Sequence, residues 1–451
     1  MVRAGAAKVR RGSNSEWSYY AGVDEIFHAR WLAVTSARLH AFREALKHFW
    51  PPPGGYPVKL VQVAGTSGKG STCKFLQSGL SLYGRAGCYV KPHVFDYAER
   101  FTVETGQVSH EEIASAWFDD VKPYFDGAAV KGPGWALDHP ETSLLIALRI
   151  FERHRLDWAA VETGLGGRYD PVTELKVSAT VLTNVGRDHE DVLGSEHWQR
   201  ALDKAGVCRP GVPLVLADAD PRTVEVVQAV ARERGTPLLR VTQADVRALE
   251  RGIQRARTVR GQDIVFGARH QLLNATAAVR AIGSLVGRED LPRLIPRLLE
   301  TKYVGRFWKV GDGVYADVAH NPSKTQALAE EVEERFPNQK KVFVIGISGQ
   351  RNPAEVVRPL VTQAKAMVVT GAGYKGQPPA KVMAALRDSF PMLPLHLAPE
   401  TRTALNVAMG VRGRDSPIIF TGSTYMIDQA LNPDERLRHL NGSYGWREQT
   451  R

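Results

Sequence analysis

Apolar residues along this chain fall into short blocks whose internal spacing changes in a regular way. Residues 58–64, 86–90, 158–162, 179–184 and 212–217 are nearly continuous apolar runs of strand length. Such runs read as strands buried on both faces. Residues 37–49, 71–82, 109–125 and 141–153 instead carry apolar positions at helical spacing,. The first of these helical runs is stopped by the sequence WPPPGG at 50–55,. A further helix is expected from about 270 to 285, followed by a second, smaller series with strands at 314–318, 342–347, 366–369 and 418–420. Strands alternating with helices predict an α/β fold with a mostly parallel sheet. The stretch 290–304, with Pro292 and Pro296, separates the two series. The expected division is a flexible basic tail over 1–15, a larger domain over 16–298 and a smaller α/β domain over 299–451.

Composition supports a folded, multidomain chain. At 451 residues, with about 100–200 residues per domain, two or three domains are expected,. Hydrophobic residues make up 43% and charged residues 24%, which excludes a disordered or fibrous protein,. Cys73, Cys88 and Cys208 show no CxxC spacing, so neither a disulfide framework nor a zinc site is indicated,. No apolar run is long enough for a membrane span, and the basic N-terminus (Arg3, Lys8, Arg10, Arg11) is not followed by a signal-peptide core,. A cytoplasmic protein is expected. The net charge of +11 suits an anionic ligand but does not by itself choose between nucleic acid and nucleotides,.

Local chemistry narrows that choice. Residues 61–72 read VQVAGTSGKGST, a strand, a glycine-rich turn and a helix start. Gly65, Gly68 and Gly70 allow close backbone approach to phosphate oxygens, and Thr66 and Ser67 lie between them,. The helix N-terminus adds free N–H donors and a positive dipole end. Lys69 supplies charge for the β and γ phosphates, and Ser71 or Thr72 a hydroxyl for Mg²⁺,. The pattern is not a plain Walker sequence, because Val63 takes the first glycine position and Gly70 the place of Ser or Thr after the lysine,.

GTSGKGS resembles the GTNGKGS loop of the folylpolyglutamate and dihydrofolate synthases, a branch of the Mur ligase superfamily, and further blocks agree in order. They are HVFDYAERFTVETGQVS at 93–109, VETGLGGRYD at 161–170, TNVGRDHEDVLG at 183–194, DKAGV at 203–207, HQLLN at 270–274, GRF at 305–307, DVAHNP at 317–322 and FTGSTY at 420–425. The resemblance implies a P-loop ATPase domain of Mur-ligase type over 16–298 and a smaller Rossmann-like ligase domain over 299–451. It implies an ATP-dependent amide ligase of one-carbon metabolism. A carboxylate is activated as an acyl phosphate and joined to an amino acid, with glutamate and a folate-type acid as the expected pair.

By the same resemblance Lys69, Glu162, His189 and Lys204 are the catalytic candidates. Ser71, Glu162, His189 and a carbamylated Lys204 are implied as ligands of two Mg²⁺ ions, and Asn274, Arg306, Asp317 and His320 as further ATP contacts. Residue chemistry agrees for Arg306, whose planar fork suits phosphate, and for Glu162, at the end of an apolar run,. Asp317 also suits a plain turn. Ser423 and Tyr425 are weaker candidates.

Departures from the family pattern mark the acceptor side. Lys91 stands where the family's Ser precedes Pro-His, Arg187 replaces an apolar residue before Asp188, and GISGQRNP at 346–353 lacks a Lys-Asp pair. Lys91, His93 and Arg187 are therefore acceptor-site candidates, and a same-fold ligase acting on another carboxylic acid is the alternative reading. A basic nucleic-acid-binding NTPase is a remote one. Its support is the net charge of +11 and the arginine cluster 247, 251, 255, 257 and 260, which lacks interleaved aromatics and reads as a solvated face,. The expected partners are ATP, an amino acid and an acidic small molecule, with no nucleic acid, no membrane and a monomeric chain.

Overall fold

The computed structural model describes residues 15–28, 36–104, 106–132, 135, 137–260, 269–301, 303–413 and 415–432. Two sheets organise them. The first contains β1 (Lys59–Ala64), β2 (Ala86–Tyr89), β3 (Phe101–Val103), β4 (Gly106–Gln107), β5 (Trp158–Glu162), β6 (Ala179–Leu182), β7 (Leu214–Leu216) and β8 (Leu238–Arg240). Their order is β4-β3-β2-β5-β1-β6-β7-β8. Pairing is parallel except at β2–β3 and β3–β4. The second sheet contains β9 (Trp308–Gly311), β10 (Val314–Ala316), β11 (Lys341–Ile345), β12 (Ala364–Val369), β13 (Leu395–Leu397) and β14 (Ile418–Thr421). Its order is β13-β12-β11-β14-β10-β9, with only β9 antiparallel.

The continuous apolar runs are explained by burial on both faces. In β1, Leu60 packs with Phe42, Trp117 and Phe151 on one side, while Val61 and Val63 pack with Leu76, Ile282 and Leu294 on the other. In β11, Phe343 and Ile345 face one layer and Val342 and Val344 the opposite one. Successive side chains of a strand point to opposite faces, so a strand covered on both sides must be apolar throughout.

Three segments differ from the expectation. The helix Ser15–His28 starts at the last residue assigned to the tail, and the rest of that tail lies outside the described residues. Tyr19, Val23 and Ile26 bury its inner face. The expected helix over 109–125 is divided into His110–Ser115, a wide turn Ala116–Val121 with π-type bonding, and Lys122–Val130. Pro123 cannot donate to the carbonyl four residues back, which favours a widened turn just before it. The stretch around 290–304 is no bare connector: it holds the helix Leu291–Glu300, whose Leu294, Ile295 and Leu298 belong to the first sheet's core. Pro292 sits in its first turn, where a missing N–H costs nothing,.

The lobes touch through defined contacts. Val94 packs in the second lobe's core, Phe95 meets Trp308 edge to face at 5.3 Å, and Asn432 Nδ2 donates to Phe95 O at 3.2 Å. Among the described residues no helix is long and apolar enough to cross a membrane. Arg247, Arg251 and Arg255 are exposed on the helix Gln243–Arg260, as a solvated face requires.

Candidate active site

β1 lies between β5 and β6, and the chain leaves β1 toward β2 but leaves β5 toward β6. The crevice beyond the carboxyl ends of these strands is where open α/β sheets bind ligands. The glycine-rich loop occupies it. Gly65 has φ +144° with Thr183 against the position of a Cβ, and Gly68 has φ +79° with Asn274 in the same relation. Both therefore exclude larger residues on two grounds, dihedral and space.

The end of β6 braces the loop. Asn184 Oδ1 accepts from the N–H groups of Thr66 (3.2 Å) and Ser67 (3.0 Å), and its Nδ2 donates to Ser67 Oγ at 2.9 Å. Thr183 Oγ1 donates to Ser67 O at 2.7 Å, and Gly186 N donates to Thr66 Oγ1 at 2.8 Å. Thr72 turns its hydroxyl back to Gly68 O at 3.0 Å. Ser71, next in line and 4% exposed, is thereby the better-placed hydroxyl of the two.

The departure at Gly70 has a steric cause. A Cβ there would lie 2.7 Å and 2.8 Å from ring carbons of Tyr303 and closer still to its hydroxyl. Gly70→Ser, which restores the more usual residue after the lysine, is expected to lower stability by about 1–3 kcal/mol through overpacking. Thermal unfolding checks this, and an unchanged midpoint would show that Tyr303 swings away freely.

Two lysines converge on one carbonyl. Lys69 Nζ donates to Gly65 O at 3.1 Å and Lys204 Nζ donates to the same oxygen at 3.2 Å. Lys204 is 4% exposed, and burial, reinforced by the Lys69 charge, pulls its pKa down to about 7. Glu162, also 4% exposed, places Oε1 at 3.9 Å from Lys69 Nζ and accepts the Lys91 N–H on Oε2 at 2.8 Å. Lys204 is held where it is because two glycine-rich blocks interlock. Asp203 Oδ1 accepts from Gly167 N at 2.9 Å, and a Cβ on Gly167 would strike the Lys204 carbonyl oxygen at 2.6 Å. Asp170 closes the same turn by accepting from Gly164 N at 2.8 Å.

His189 adopts φ +52° at the start of a short helical turn and is half exposed, with Nε2 3.9 Å from Asp188 Oδ1. Burial lowers its pKa, and the Asp188 charge opposes that shift. Among the described residues no group of three or more His, Cys, Asp or Glu side chains stands at metal-binding spacing.

The second lobe covers this crevice. The Arg306 guanidinium lies 5.1 Å from the Tyr303 ring centroid and donates to Gly305 O at 3.0 Å. Asp317 uses both carboxylate oxygens on backbone, accepting from Phe307 N (2.9 Å) and Ala319 N (2.8 Å). It thus ties the Arg306 loop to the end of β10. His320 Nδ1 bonds Val318 O at 2.8 Å and its Nε2 meets Lys324 Nζ at 3.0 Å. Burial and the Lys324 charge keep this imidazole neutral. Asn321 Nδ2 donates to Asp188 Oδ2 at 3.2 Å, a bond between the lobes.

The acceptor candidates separate. Lys91 sits beside Glu162 through its backbone and places Nζ 5.4 Å from the Tyr89 ring centroid. His93 Nδ1 accepts from Arg100 Nε at 3.0 Å, and burial with the Arg100 charge takes its pKa down to about 3. Arg187 points elsewhere: its side chain is 79% exposed and pairs with Glu190 at 2.8 Å and 3.3 Å. Ser423 caps the helix Thr424–Leu431 and meets Ser348 Oγ at 2.5 Å, while Tyr425 packs edge to face on Tyr374 at 4.9 Å. Asn184, Asp188, Tyr303 and Lys324 were not singled out from sequence. The first two lie inside the TNVGRDHEDVLG block and could have been; Lys324 lies one helical turn past His320, and nothing local marks Tyr303.

Known proteins share this two-sheet fold. The family described as the Mur ligase, glutamate ligase domain, matches residues 305–424. The dihydrofolate synthase/folylpolyglutamate synthase of Bacillus subtilis is 27% identical over 394 residues, 83% of this chain and 90% of that protein. The folylpolyglutamate synthase of Mycobacterium tuberculosis, solved with ADP and AMPPCP, superposes with a TM-score of 0.79 at 20% identity, covering 94% of this chain and 100% of that one. The bifunctional folylpolyglutamate synthase/dihydrofolate synthase of Yersinia pestis, solved with AMPPNP and Mn ion, gives 0.71 at 23% identity, covering 93% and 98%. A relative matched over most of its length, a C-terminal match and a shared two-sheet fold converge: over most of its length the chain is similar to the folylpolyglutamate synthase/dihydrofolate synthases, and its second lobe carries the glutamate ligase domain of the Mur ligases.

Proposed function

We propose that the crevice beyond β1, β5 and β6 catalyses ATP-dependent joining of a carboxylic acid to an amino acid. The observation that carries this is the convergence of Lys69 and Lys204 on Gly65 O beside the buried Glu162. An oxygen of the acid attacks the γ-phosphorus of ATP and ADP leaves. The amine nitrogen then attacks the acyl carbon, phosphate departs with the activating oxygen, and the nitrogen loses a proton. Such chemistry asks the protein mainly for positioning and charge stabilisation.

Lys69, Asn274 and Arg306 receive the phosphates, and His320 lies beside them as a neutral imidazole. Asp317 acts through the loop it holds rather than by direct contact. Ser71 and Glu162 fit one Mg²⁺, since a hydroxyl and a buried carboxylate are the oxygen donors that a hard cation takes, and His189 with a carbamylated Lys204 fits a second. Bound there, the ions would neutralise developing charge on the phosphoryl group. A division just after the helix Leu291–Glu300, rather than inside it at the expected 298/299, lets the second lobe close over the acyl phosphate and exclude water,. The chain is read as a cytoplasmic monomer.

Glutamate and a folate-type acid are the substrates this reading favours, because the full-length bacterial relative is named for dihydrofolate and folylpolyglutamate synthesis. Lys91 favours the alternative of another acid: its backbone holds it next to Glu162, and its ammonium, by Gly164 and the Tyr89 ring, adds a cation on the side from which the acceptor must approach. Coupled ADP-formation assays with glutamate and either dihydropteroate or tetrahydrofolate decide between them. Turnover with either folate-type acid is the expected result. Turnover confined to unrelated carboxylic acids would replace the folate reading, and none with any acid–amine pair would overturn the ligase.

A further inference from the structure

We propose that Lys324 is an additional phosphate ligand, supplied by the second lobe to the terminal phosphate of the nucleotide. This rests on the reading of the 65–72 loop as an ATP site. Lys324 lies in the first turn of the helix Pro322–Arg335, where Asn321 Oδ1 accepts its N–H at 2.9 Å and fixes its backbone. Its side chain is 22% exposed and turns inward, toward the first lobe. One ammonium hydrogen goes to His320 Nε2 at 3.0 Å. The imidazole can accept it because Nδ1 is the nitrogen that donates to Val318 O.

A plain structural ion pair explains this lysine poorly. The closest carboxylate oxygen, Asp188 Oδ2, lies at 3.7 Å, beyond hydrogen-bond reach, and already accepts from Asn321 Nδ2,. Burial, reinforced by the positive charges of Lys69, Arg306 and Arg351, pulls the Lys324 pKa down to about 8 against the opposing Asp188 charge. These cations come from the phosphate loop, the loop before β9 and the loop after β11. These four cations from both lobes, with Glu162 beside Lys69 and Asp188 beside Lys324, leave an excess of positive charge in a partly dry space, which a polyanion relieves,. Gly186 joins the two parts: its N–H donates to Thr66 Oγ1 of the phosphate loop at 2.8 Å, and a Cβ on it would lie 3.8 Å from Oγ of Ser323, the residue before Lys324. That sets the start of the Lys324 helix against the loop that receives the β and γ phosphates.

The experiment is calorimetric binding of ADP and of a non-hydrolysable ATP analogue, with Mg²⁺, to the full chain and to Lys324→Gln and Lys324→Arg. A charge-assisted hydrogen bond lost from the terminal phosphate should weaken the analogue about tenfold or more in Lys324→Gln, with ADP changed less than about threefold. Lys324→Arg should keep most of the wild-type preference for the triphosphate. Retained ADP binding shows that the variant is folded. Equal loss of both nucleotides, or loss of neither, overturns the assignment. Wild-type protein that binds neither nucleotide would overturn the ATP reading of the loop itself.

Discussion

Lys204→Ala is expected to lose about 10³-fold in turnover, the scale seen when a central charge-stabilising group is removed from an active site. Added acetate or another short carboxylate is expected to restore part of it. The amine sits buried beside Lys69 on the Gly65 carbonyl, with a pKa of about 7, so about half of it is neutral at pH 7,. A neutral amine adds CO₂ to give a carbamate and a proton, replacing a cation that repels Lys69 with an anion that attracts it. The sign with pH follows. Below pH 7 the amine is increasingly protonated and the carbamate is lost, so activity falls on the acid side and becomes most dependent on added bicarbonate there. Steady-state rates with and without bicarbonate, and ¹³C spectra after labelling with bicarbonate, check this. Activity within about tenfold of wild type would show that Lys204 is not central. Complete loss without carboxylate rescue would favour an unmodified lysine.

Lys69→Ala is expected to cost about 10²–10³-fold in kcat and to weaken nucleotide binding, because it removes the loop's own cation from the transferred phosphoryl group. Lys69→Arg should not recover this. The ammonium fits a narrow place between Gly65 O at 3.1 Å and Glu162 Oε1 at 3.9 Å, which a wider planar fork does not match,. The two lysines are also coupled. Removing Lys69 removes a charge that depresses the Lys204 pKa, so Lys204 should be more protonated at neutral pH in Lys69→Ala. A Lys69→Ala/Lys204→Ala cycle is therefore expected to be non-additive, with the double variant losing less than the product of the single losses. Strict additivity would mean that the lysines act independently.

Much of the site was legible because its parts are local. The loop at 65–72 needs glycine where φ is positive, and Gly65 and Gly68 show it. The blocks around Glu162 and Lys204 stand in the sequence as separate motifs, and the loop from Gly65 to Lys69 links them: Lys204 bonds Gly65 O and Glu162 lies 3.9 Å from Lys69. Arg187 was misleading: it lies between Gly186 and Asp188, but its side chain leaves the crevice for Glu190. Asp317 was read as a nucleotide contact with a turn as the plainer option, and its two backbone bonds favour the plainer role. The helix Ser15–His28 went unread even though Tyr19, Val23 and Ile26 fall at helical spacing, because the polar, basic residues before it dominated that end.

The sequence by itself determined the strand–helix alternation, the continuous apolar strands and the phosphate loop, since each follows from the spacing and dihedral needs of neighbouring residues. Only the tertiary structure decided which groups share a space. Gly70 is glycine because of Tyr303, more than 200 residues away. Lys204 has a depressed pKa because folding brings it beside Lys69 on one carbonyl. Lys324 of the second lobe comes to lie 3.7 Å from Asp188 of the first. Electrostatic shifts and close packing depend on distance in space and on exclusion of water, and neither quantity is written in the order of residues along a chain.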